Sequence, residues 1–326
     1  FQLDAPTDEE WASGSDLVDR LVTAVGGSIE ISDIFDNLNR SGRRGITNLN
    51  ATRLENHDYL GFAWNNGDMD VSYWYPQGIT GTGDAFANGF IGDRRALIVS
   101  WYHKTDERPT KGARISLFDL TDVDQPRYRH LLLVTPKQNG SNINFGPAEY
   151  EHGDRNALHA GGIVWLHPYL YVADTFVGMR VFDLTRIMRM SHTNEKSRIG
   201  VAGARTDAHG YQYIVPQVAT YRLSESSCPL KFSAIGLDRS SSPPTILSAE
   251  YRRSDIQARL VHWPVDLATA KLMDVQGVIQ PRGAVMAAQT KVQGATSLNG
   301  DYYISSSSQY QQFGRLYRTY PWRSES

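Results

Sequence analysis

The sequence has little cysteine, no long apolar run and no excess of charge of either sign. Cys228 is the single cysteine among 326 residues, so an internal disulfide is excluded. No run approaches the ~18 apolar residues of a membrane-spanning helix, so a membrane protein is not expected. Lys and Arg number 33 against 35 Asp and Glu, which excludes the basic face of a general nucleic-acid binder. The patterns H-E-x-x-H, EF-hand loop and P-loop are also missing.

Aromatic residues are plentiful, and tyrosine is the commonest of them. The chain holds 17 Tyr, 11 Phe and 7 Trp. Tyr and Trp favour strands and ligand-facing surfaces, where a flat ring and a polar atom are both useful. The chain begins at Phe1 rather than Met, and it carries N-x-S/T sequons at Asn39, Asn50 and Asn139. We therefore expect a secreted, extracellular protein with its signal peptide removed.

The N-terminal segment has the periodicity of one short helix. Apolar residues recur every three or four positions from Asp8 to Val25, and Gly26 with Gly27 ends the pattern. Helical periodicity is scarce after this point, and short Val-, Ile- and Tyr-rich runs take its place. The sequence predicts a helical segment over 1–27 and an all-β domain over 28–326.

The β-rich runs repeat as a unit. Each copy has a Gly-containing strand, a turn, an apolar strand, a loop and a further strand, with apolar strands at 96–101, 169–174, 245–251 and 302–306. One tight turn, Asn299-Gly300, suits a type I′ hairpin. Recurring meanders of three or four strands are typical of β-propeller blades, and the length fits five to seven of them. A strand over 28–34 closing the ring is one possibility, a chain that continued is another, and a β-sandwich or two small β domains is the alternative fold.

In a propeller, residues at the mouths of the inner strands converge on the axis. Glycines there allow close backbone approach, so their neighbours are site candidates. The candidates are Tyr75, Gln77, His159 and Gln293 beside those glycines, His103 and Lys104 at a hairpin end, and His209, Tyr211 and Gln217 in a polar segment. Histidine suits proton transfer near neutral pH, which favours His103 first. The alternative for His103 is a solvated loop residue, and for His159 a structural one.

Two other chemistries remain open from the residues. A glycoside hydrolase needs two carboxylates across a pocket, and Asp174 with Asp207 is the candidate pair. A Ca²⁺ ion in the channel would need acidic ligands, for which Asp68 and Asp84 are among the candidates, although no spacing supports it. A propeller that binds carbohydrate or protein without catalysis is a further alternative.

Several segments resemble one family. They lie at 74–78, 97–102, 128–134, 158–165, 170–175, 180–184, 258–264 and 293–296. Together these are similar to a family of secreted proteins of actinomycetes and filamentous fungi, and the resemblance implies that this group includes the L-rhamnose-α-1,4-D-glucuronate lyases that trim gum arabic side chains. The resemblance covers most of residues 70–310, and it implies a seven-bladed propeller with its site at the channel mouth and a further blade after Tyr320.

The resemblance implies a mechanism as well. A lyase of this kind cleaves a terminal rhamnosyl-glucuronate linkage by β-elimination, with a base removing the proton on C5 and a cation stabilising the carboxylate. His103 is the first candidate base, His159 the second and Tyr150 the third, while Lys104 is the nearest cation. Tyrosines such as Tyr75 and Tyr211 would hold the sugars. We expect a monomer that acts on a polysaccharide or oligosaccharide and requires no cofactor.

Overall fold

The structure is a computed structural model that describes residues 1–45, 61–104, 110–149, 158–225, 228–252, 257–307 and 314–320. Within these ranges the chain is mostly β. Tyr150, the third candidate base, lies outside the described residues.

The predicted N-terminal helix is present as α1 (Asp8–Val25). Its first turn is closed by a reciprocal cap, in which the Thr7 hydroxyl accepts from the Glu10 amide at 3.1 Å and the Glu10 carboxylate accepts from the Thr7 amide at 2.8 Å. Gly26 ends the helix in the left-handed conformation with φ 91°. Leu21 is fully buried in an apolar cluster that also contains strand residues, so the helix is fixed to the β structure.

The strand considered for 28–34 does not form, and that prediction is wrong. Residues Ile31–Asn37 make a 3₁₀ helix instead, which begins with the Asp33 carboxylate accepting from the Glu30 amide at 2.9 Å. Ile31, Ile34 and Phe35 recur every three or four residues and enter the apolar core together, a spacing that suits a helical turn rather than a strand. Two further short helices are α2 (Asn66–Met69) and α3 (Thr82–Ala85).

The strands run through the whole described chain. Those before residue 150 are β1 (Leu3–Asp4), β2 (Arg40–Ser41), β3 (Arg43–Arg44), β4 (Phe62–Ala63), β5 (Trp74–Gly81), β6 (Ala96–His103), β7 (Ala113–Asp119), β8 (Arg127–Asn139) and β9 (Asn142–Pro147). The middle group is β10 (Ile163–Leu166), β11 (Tyr169–Asp174), β12 (Gly178–Asp183), β13 (Met188–Arg189), β14 (Ile199–Ala202), β15 (Arg205–Ala208) and β16 (Tyr213–Leu223). The last group is β17 (Ala234–Asp238), β18 (Thr245–Ala249), β19 (Ala258–Asp266), β20 (Lys271–Leu272), β21 (Val278–Ile279), β22 (Gly283–Ala287), β23 (Val292–Leu298), β24 (Asp301–Ser306) and β25 (Arg315–Thr319).

Most long strands fall into antiparallel units, each named here by its strands. Unit A is β5-β6-β7-β8, unit B is β10-β11-β12-β16, unit C is β17-β18-β19-β22, and unit D is β23-β24-β25. Within unit D, Asn299 and Gly300 have φ values of 53° and 87°, which confirms the predicted hairpin turn.

Units A and B belong to one sheet, which nearly closes on itself like a barrel. β16 pairs with β8 in parallel, with Ile214 opposite Leu132. At the other end of the sheet β5 meets β10, where the Trp165 amide donates to the Thr80 hydroxyl at 3.0 Å. Close approach there requires glycine, because a Cβ on Gly78 would lie 2.7 Å from the Cα of Gly162.

Successive units share apolar cores because alternate residues of each strand point to opposite faces. Ile98 of unit A packs with Trp165 of unit B, Val181 of unit B clusters with Trp263 of unit C, and Leu260 of unit C clusters with Ile304 of unit D. The units therefore pack in the series A, B, C, D. The face of unit A that points away from unit B carries the polar residues described below.

Gly162 tests this close packing of first strands. A Cβ at Gly162 would lie 2.1 Å from the amide nitrogen of Ile235 and 2.8 Å from the carbonyl carbon of Ala234, both in β17. We expect Gly162→Ala to lower the free energy of unfolding by about 3 kcal/mol, since the obstructing atoms are backbone. Urea unfolding measures the effect. Gly83→Ala is the control, because nothing lies within 4 Å of its Cβ position, and equal midpoints for the two variants would contradict the packing.

Candidate functional site

A cavity of about 450 Å³ opens on the outward face of unit A. It is walled by β7 and β8, by the segment that contains α2, and by the loops on either side of β14 and β15. Its lining is strongly cationic: Arg40, Lys111, Arg114, Arg129 and Lys196 contribute to it, against the single carboxylate of Asp68 among the described lining residues. An anion is therefore the ligand that this cavity favours.

Arg114 is the central cation of the cavity. Its guanidinium lies between two indole rings, 4.5 Å from the centroid of Trp74 and 4.6 Å from that of Trp101. One terminal nitrogen, Nη1, donates to the Tyr211 hydroxyl at 3.3 Å. Nε and Nη2 are buried and make no hydrogen bond, although Nη2 lies 3.5 Å from Asp68 Oδ1. Arg114 thus has two donors without a hydrogen bond on one edge of a plane that the two indoles hold in place.

Asp68 accepts hydrogen bonds from several donors and is almost fully buried. Its Oδ2 accepts from the Tyr128 hydroxyl at 2.5 Å and lies 3.1 Å from Arg40 Nε, while Oδ1 lies 2.9 Å from His130 Nε2. Burial alone would raise the pKa of this carboxyl, but the hydrogen bonds from His130 and Tyr128 and the positive charge of Arg40 hold it well below its usual range. Asp68 is therefore ionised at neutral pH.

A buried chain of hydrogen bonds leads from Asp68 into unit A. The Trp101 Nε1–H donates to Ser116 Oγ at 2.7 Å, and Ser116 Oγ lies 2.7 Å from His130 Nδ1. Since the ionised Asp68 carboxylate can only accept, His130 Nε2–H donates to it, and Nδ1 of the neutral ring accepts from the Ser116 hydroxyl. Burial lowers the pKa of His130 despite this carboxylate, so the ring is neutral. Ser116 is 0% exposed, which makes this Ser–His–Asp chain a support for Asp68 and not a nucleophile.

The histidines around the cavity are neutral near physiological pH. Burial lowers the pKa of His103 to about 4, and the positive charges around it act in the same direction. Burial also lowers the pKa of His209; the hydrogen bond to the Lys196 carbonyl opposes this shift and the charge of Lys111 adds to it. A neutral imidazole can accept a proton, and the cations beside it can bind an anion, so the cavity wall provides both functions.

Of the predicted site residues, His209 and Tyr211 line this cavity. His103 lies at its margin, where its ring contacts Tyr73 and Trp74 at centroid distances of 5.5 and 5.0 Å. The polar segment before β16 therefore lies close to the end of β6.

The remaining predicted residues do not converge there. Tyr75 and Tyr102 are opposite each other in β5 and β6 and point to the face away from Trp74 and His103. His159 stacks on Tyr102 with a centroid distance of 4.5 Å, and Lys104 Nζ lies 5.3 Å from the Tyr75 ring. His103 and His159 therefore lie on opposite faces of one strand pair, and the expectation that both share a pocket with Lys104 is wrong.

The three predicted glutamines are also separate from the cavity. Gln77 donates to the carbonyl of its neighbour Pro76 at 3.0 Å. Gln217 of unit B accepts from Thr135 of β8 at 3.2 Å, and Gln293 of unit D donates to Ser307 at 3.4 Å. None of the three is among the residues that line the cavity.

Sequence reasoning missed the groups that define the cavity. Neither Arg114 nor His130 is among the site candidates named from the sequence. A signal was present, because Arg114 and Ser116 alternate with apolar residues on β7 while His130 directly precedes the apolar run of β8. Polar residues at alternate positions of neighbouring strands lie on the same side of the sheet and indicate a polar face.

The carboxylate pair considered for a glycosidase does not lie at the cavity. Asp174 is ion-paired to Arg180 at 2.5 Å and Asp207 to Arg205 at 2.6 Å, and neither carboxylate lines the cavity. Over the described ranges, no three His, Cys, Asp or Glu side chains are grouped so as to hold a metal ion.

Comparison with known proteins adds no identification. No protein-family model, no curated protein and no solved structure matches the chain. In the described part of the chain, no helix is both long enough and apolar enough to cross a membrane.

Proposed function

We propose that this protein is a polysaccharide lyase that cleaves a uronate linkage by β-elimination. The observation that carries the proposal is Arg114, a 4% exposed guanidinium held between two indoles with Nε and Nη2 unbonded in a cationic cavity. A planar carboxylate is the group that matches two parallel guanidinium donors. A uronate supplies this carboxylate next to the carbon that must lose its proton.

The cavity chemistry fits the difficult step of the reaction. Removing the proton from C5 of a uronate places negative charge on the adjacent carboxylate. Arg114, with Lys111 and Arg40 nearby in the lining, would stabilise that charge as it develops. Neutral histidine beside these cations provides a proton acceptor.

The proposed substrate is a terminal rhamnosyl-glucuronate unit of an extracellular polysaccharide. The family resemblance supports this choice of sugars, and the cavity volume of about 450 Å³ lies in the common range for sites that hold small ligands. In the gluco configuration H5 and O4 lie on the same ring face, so one base can take the proton and return it to the leaving oxygen. Tyr73, which is 42% exposed at the cavity wall, provides a ring for sugar contact.

We further propose that units A to D are consecutive blades of a β-propeller. Their packing in series, with glycines where the first strands meet, supports this architecture. A total of five to seven blades, or seven as in the resembling family, is the expected number. Secretion belongs to the same proposal and rests on the sequence features alone.

The proposal differs from its two alternatives in chemistry that can be measured. A glycosidase would need two carboxylates that face each other across the cavity. Among the described lining residues, Asp68 supplies one carboxylate and no second one is present. A non-catalytic binding propeller would retain the saccharide without changing it.

Incubation with gum arabic tests the proposed function. We expect release of free rhamnose together with ultraviolet absorbance from a new C4=C5 double bond conjugated to the carboxylate. Rhamnose released without the double bond would indicate a glycosidase and overturn the proposal. Binding to the polysaccharide without any product over a long incubation would overturn it in favour of a binding protein.

A further inference from the structure

His209 is held in an uncommon backbone conformation beside the cavity. Its φ is 51°, and that of the following Gly210 is 82°, so two consecutive residues are left-handed. The His209 amide donates to the Arg198 carbonyl and the Tyr211 amide to the Ala208 carbonyl, both at 2.8 Å. A non-glycine residue in this region costs of order 1 kcal/mol or more, and such strain concentrates at functional sites. The turn positions the ring of His209 in the cavity wall.

The hydrogen bonds of the ring determine which nitrogen carries the proton. His209 Nδ1 lies 3.1 Å from the Lys196 carbonyl oxygen, and because a carbonyl can only accept, Nδ1 must be protonated. Nε2 of the neutral ring therefore holds the lone pair. It is buried and has no hydrogen-bond partner among the described residues, in a side chain that is 6% exposed. An unpaired buried acceptor is costly, and this nitrogen is the one position on the neutral ring that can take up a proton.

His103 has the opposite arrangement. Its Nδ1 accepts from the Lys111 amide at 3.3 Å, so Nδ1 holds the lone pair and Nε2 carries the proton. The Thr110 hydroxyl lies 3.4 Å from the same Nδ1 and further occupies it. In this tautomer His103 offers the substrate a hydrogen-bond donor and no free lone pair.

We infer that Nε2 of His209, rather than His103, is the base that removes the proton from the carbon next to the substrate carboxylate. This inference rests on the proposed function and assigns its catalytic residue. The Nε2 lone pair forms the new N–H bond, and the electrons of the C5–H bond become the second bond between C4 and C5. The C4–O4 bond breaks with its electrons on O4. The imidazolium then returns its proton to O4, so His209 ends the cycle neutral and the products are an unsaturated uronate and a free sugar hydroxyl.

The charged groups that face His209 set its pH response. The cations are Lys196 on the loop before β14, with Lys111 and Arg114 of unit A, and the titratable neighbour is the neutral His103 of β6. Burial and the charge of Lys111 keep the pKa of His209 below its ordinary value of 6.5. We expect kcat/KM to fall on the acid side with an apparent pKa below that of a free histidine, as the base becomes protonated.

The decisive variants are His209→Gln and His103→Gln in the full chain. We expect His209→Gln to lower kcat roughly 10²- to 10⁴-fold, with KM for the gum arabic substrate little changed, because the cation site remains. His103→Gln should cost less than His209→Gln. The control is His192→Gln, an exposed histidine on the neighbouring loop, which should match the unaltered protein.

A measurement on the unaltered protein keeps the inference testable if a variant does not fold. Imidazole ¹⁵N NMR at neutral pH should show His209 protonated on Nδ1 and His103 protonated on Nε2. The reverse tautomers, or a His209→Gln variant that keeps more than a tenth of the rate, would overturn the assignment. Absence of any unsaturated product from the unaltered protein would instead overturn the proposed function, while the tautomers would still be found as stated.

Discussion

Arg114→Ala is expected to lower kcat/KM on a uronate-linked substrate by roughly 10²- to 10³-fold, the usual effect of removing one donor that stabilises developing negative charge. Arg114 is the lining cation held between Trp74 and Trp101, and its buried Nε and Nη2 make no hydrogen bond. The loss should appear in both kcat and KM, because the same donors bind the carboxylate in the ground state and stabilise its added charge later. Steady-state rates followed through the absorbance of the unsaturated product measure it.

Two further variants make that result interpretable. Arg114→Lys keeps the charge but not the two parallel donors, so it should recover only part of the activity. Arg95→Ala removes an exposed arginine that lies over the Phe90 ring in the same unit, and its rate should be unchanged. If Arg114→Ala stays within a few-fold of the unaltered rate, the carboxylate is recognised elsewhere and the function proposed on Arg114 is wrong.

The parts of the fold that depend on local sequence were predictable. The helix α1 has both its apolar period and its caps within 7–26, and the Asn299-Gly300 turn needs only two residues with positive φ. The glycine-containing first strands were also identified, since Gly162 does meet the backbone of β17 closely. The helix and the turn depend on contacts between residues close together in the sequence. The close approach at Gly162 depends on glycine, the one residue type that has no Cβ.

The cavity was not predictable in the same way. Which face of a strand a residue occupies depends on the pairing register. Trp74, rather than Tyr75, pairs with His103, so Tyr75 and His103 lie on opposite faces. The partners of Asp68 come from residues far along the chain, in β2 and β8, and a short-range pattern does not reveal them. His209 was identified by its polar neighbours, but its free nitrogen depends on a carbonyl thirteen residues away.

Asp68→Ala is the second large effect that the structure predicts, and it concerns stability. The carboxylate accepts from Tyr128 and His130 and pairs with Arg40, all at a site where Asp68 is 8% exposed. Removing it leaves buried donors and a positive charge without their acceptor. Loss of one member of a buried ion pair costs about 3–5 kcal/mol. Urea unfolding at neutral pH should show a decrease of this size in the free energy of unfolding.

The matched control lies two residues along the chain. Asp70 is exposed at the end of α2, so Asp70→Ala should change the unfolding midpoint little. Asp68→Asn keeps one oxygen acceptor and should fall between the two alanine variants. A decrease for Asp68→Ala no larger than that for Asp70→Ala would show that the buried chain does not support the fold.

The pH dependence of stability gives an independent check on the buried contact between Asp68 and His130. The folded-state pKa of Asp68 lies below its ordinary value of 3.8, so its contribution is fully present above that value and is lost as the pH falls below it. The folded-state pKa of His130 also lies below its ordinary value of 6.5, because burial resists protonation. The unfolded chain therefore binds the His130 proton first, and the free energy of unfolding should begin to decrease as the pH falls below about 6.5. His130→Gln should flatten the decrease that begins there, whereas Asp68→Ala should remove the part below 3.8. If the free energy of unfolding of both His130→Gln and Asp68→Ala depends on pH as it does in the unaltered protein, the contacts described do not shift the pKa of either group in the folded state.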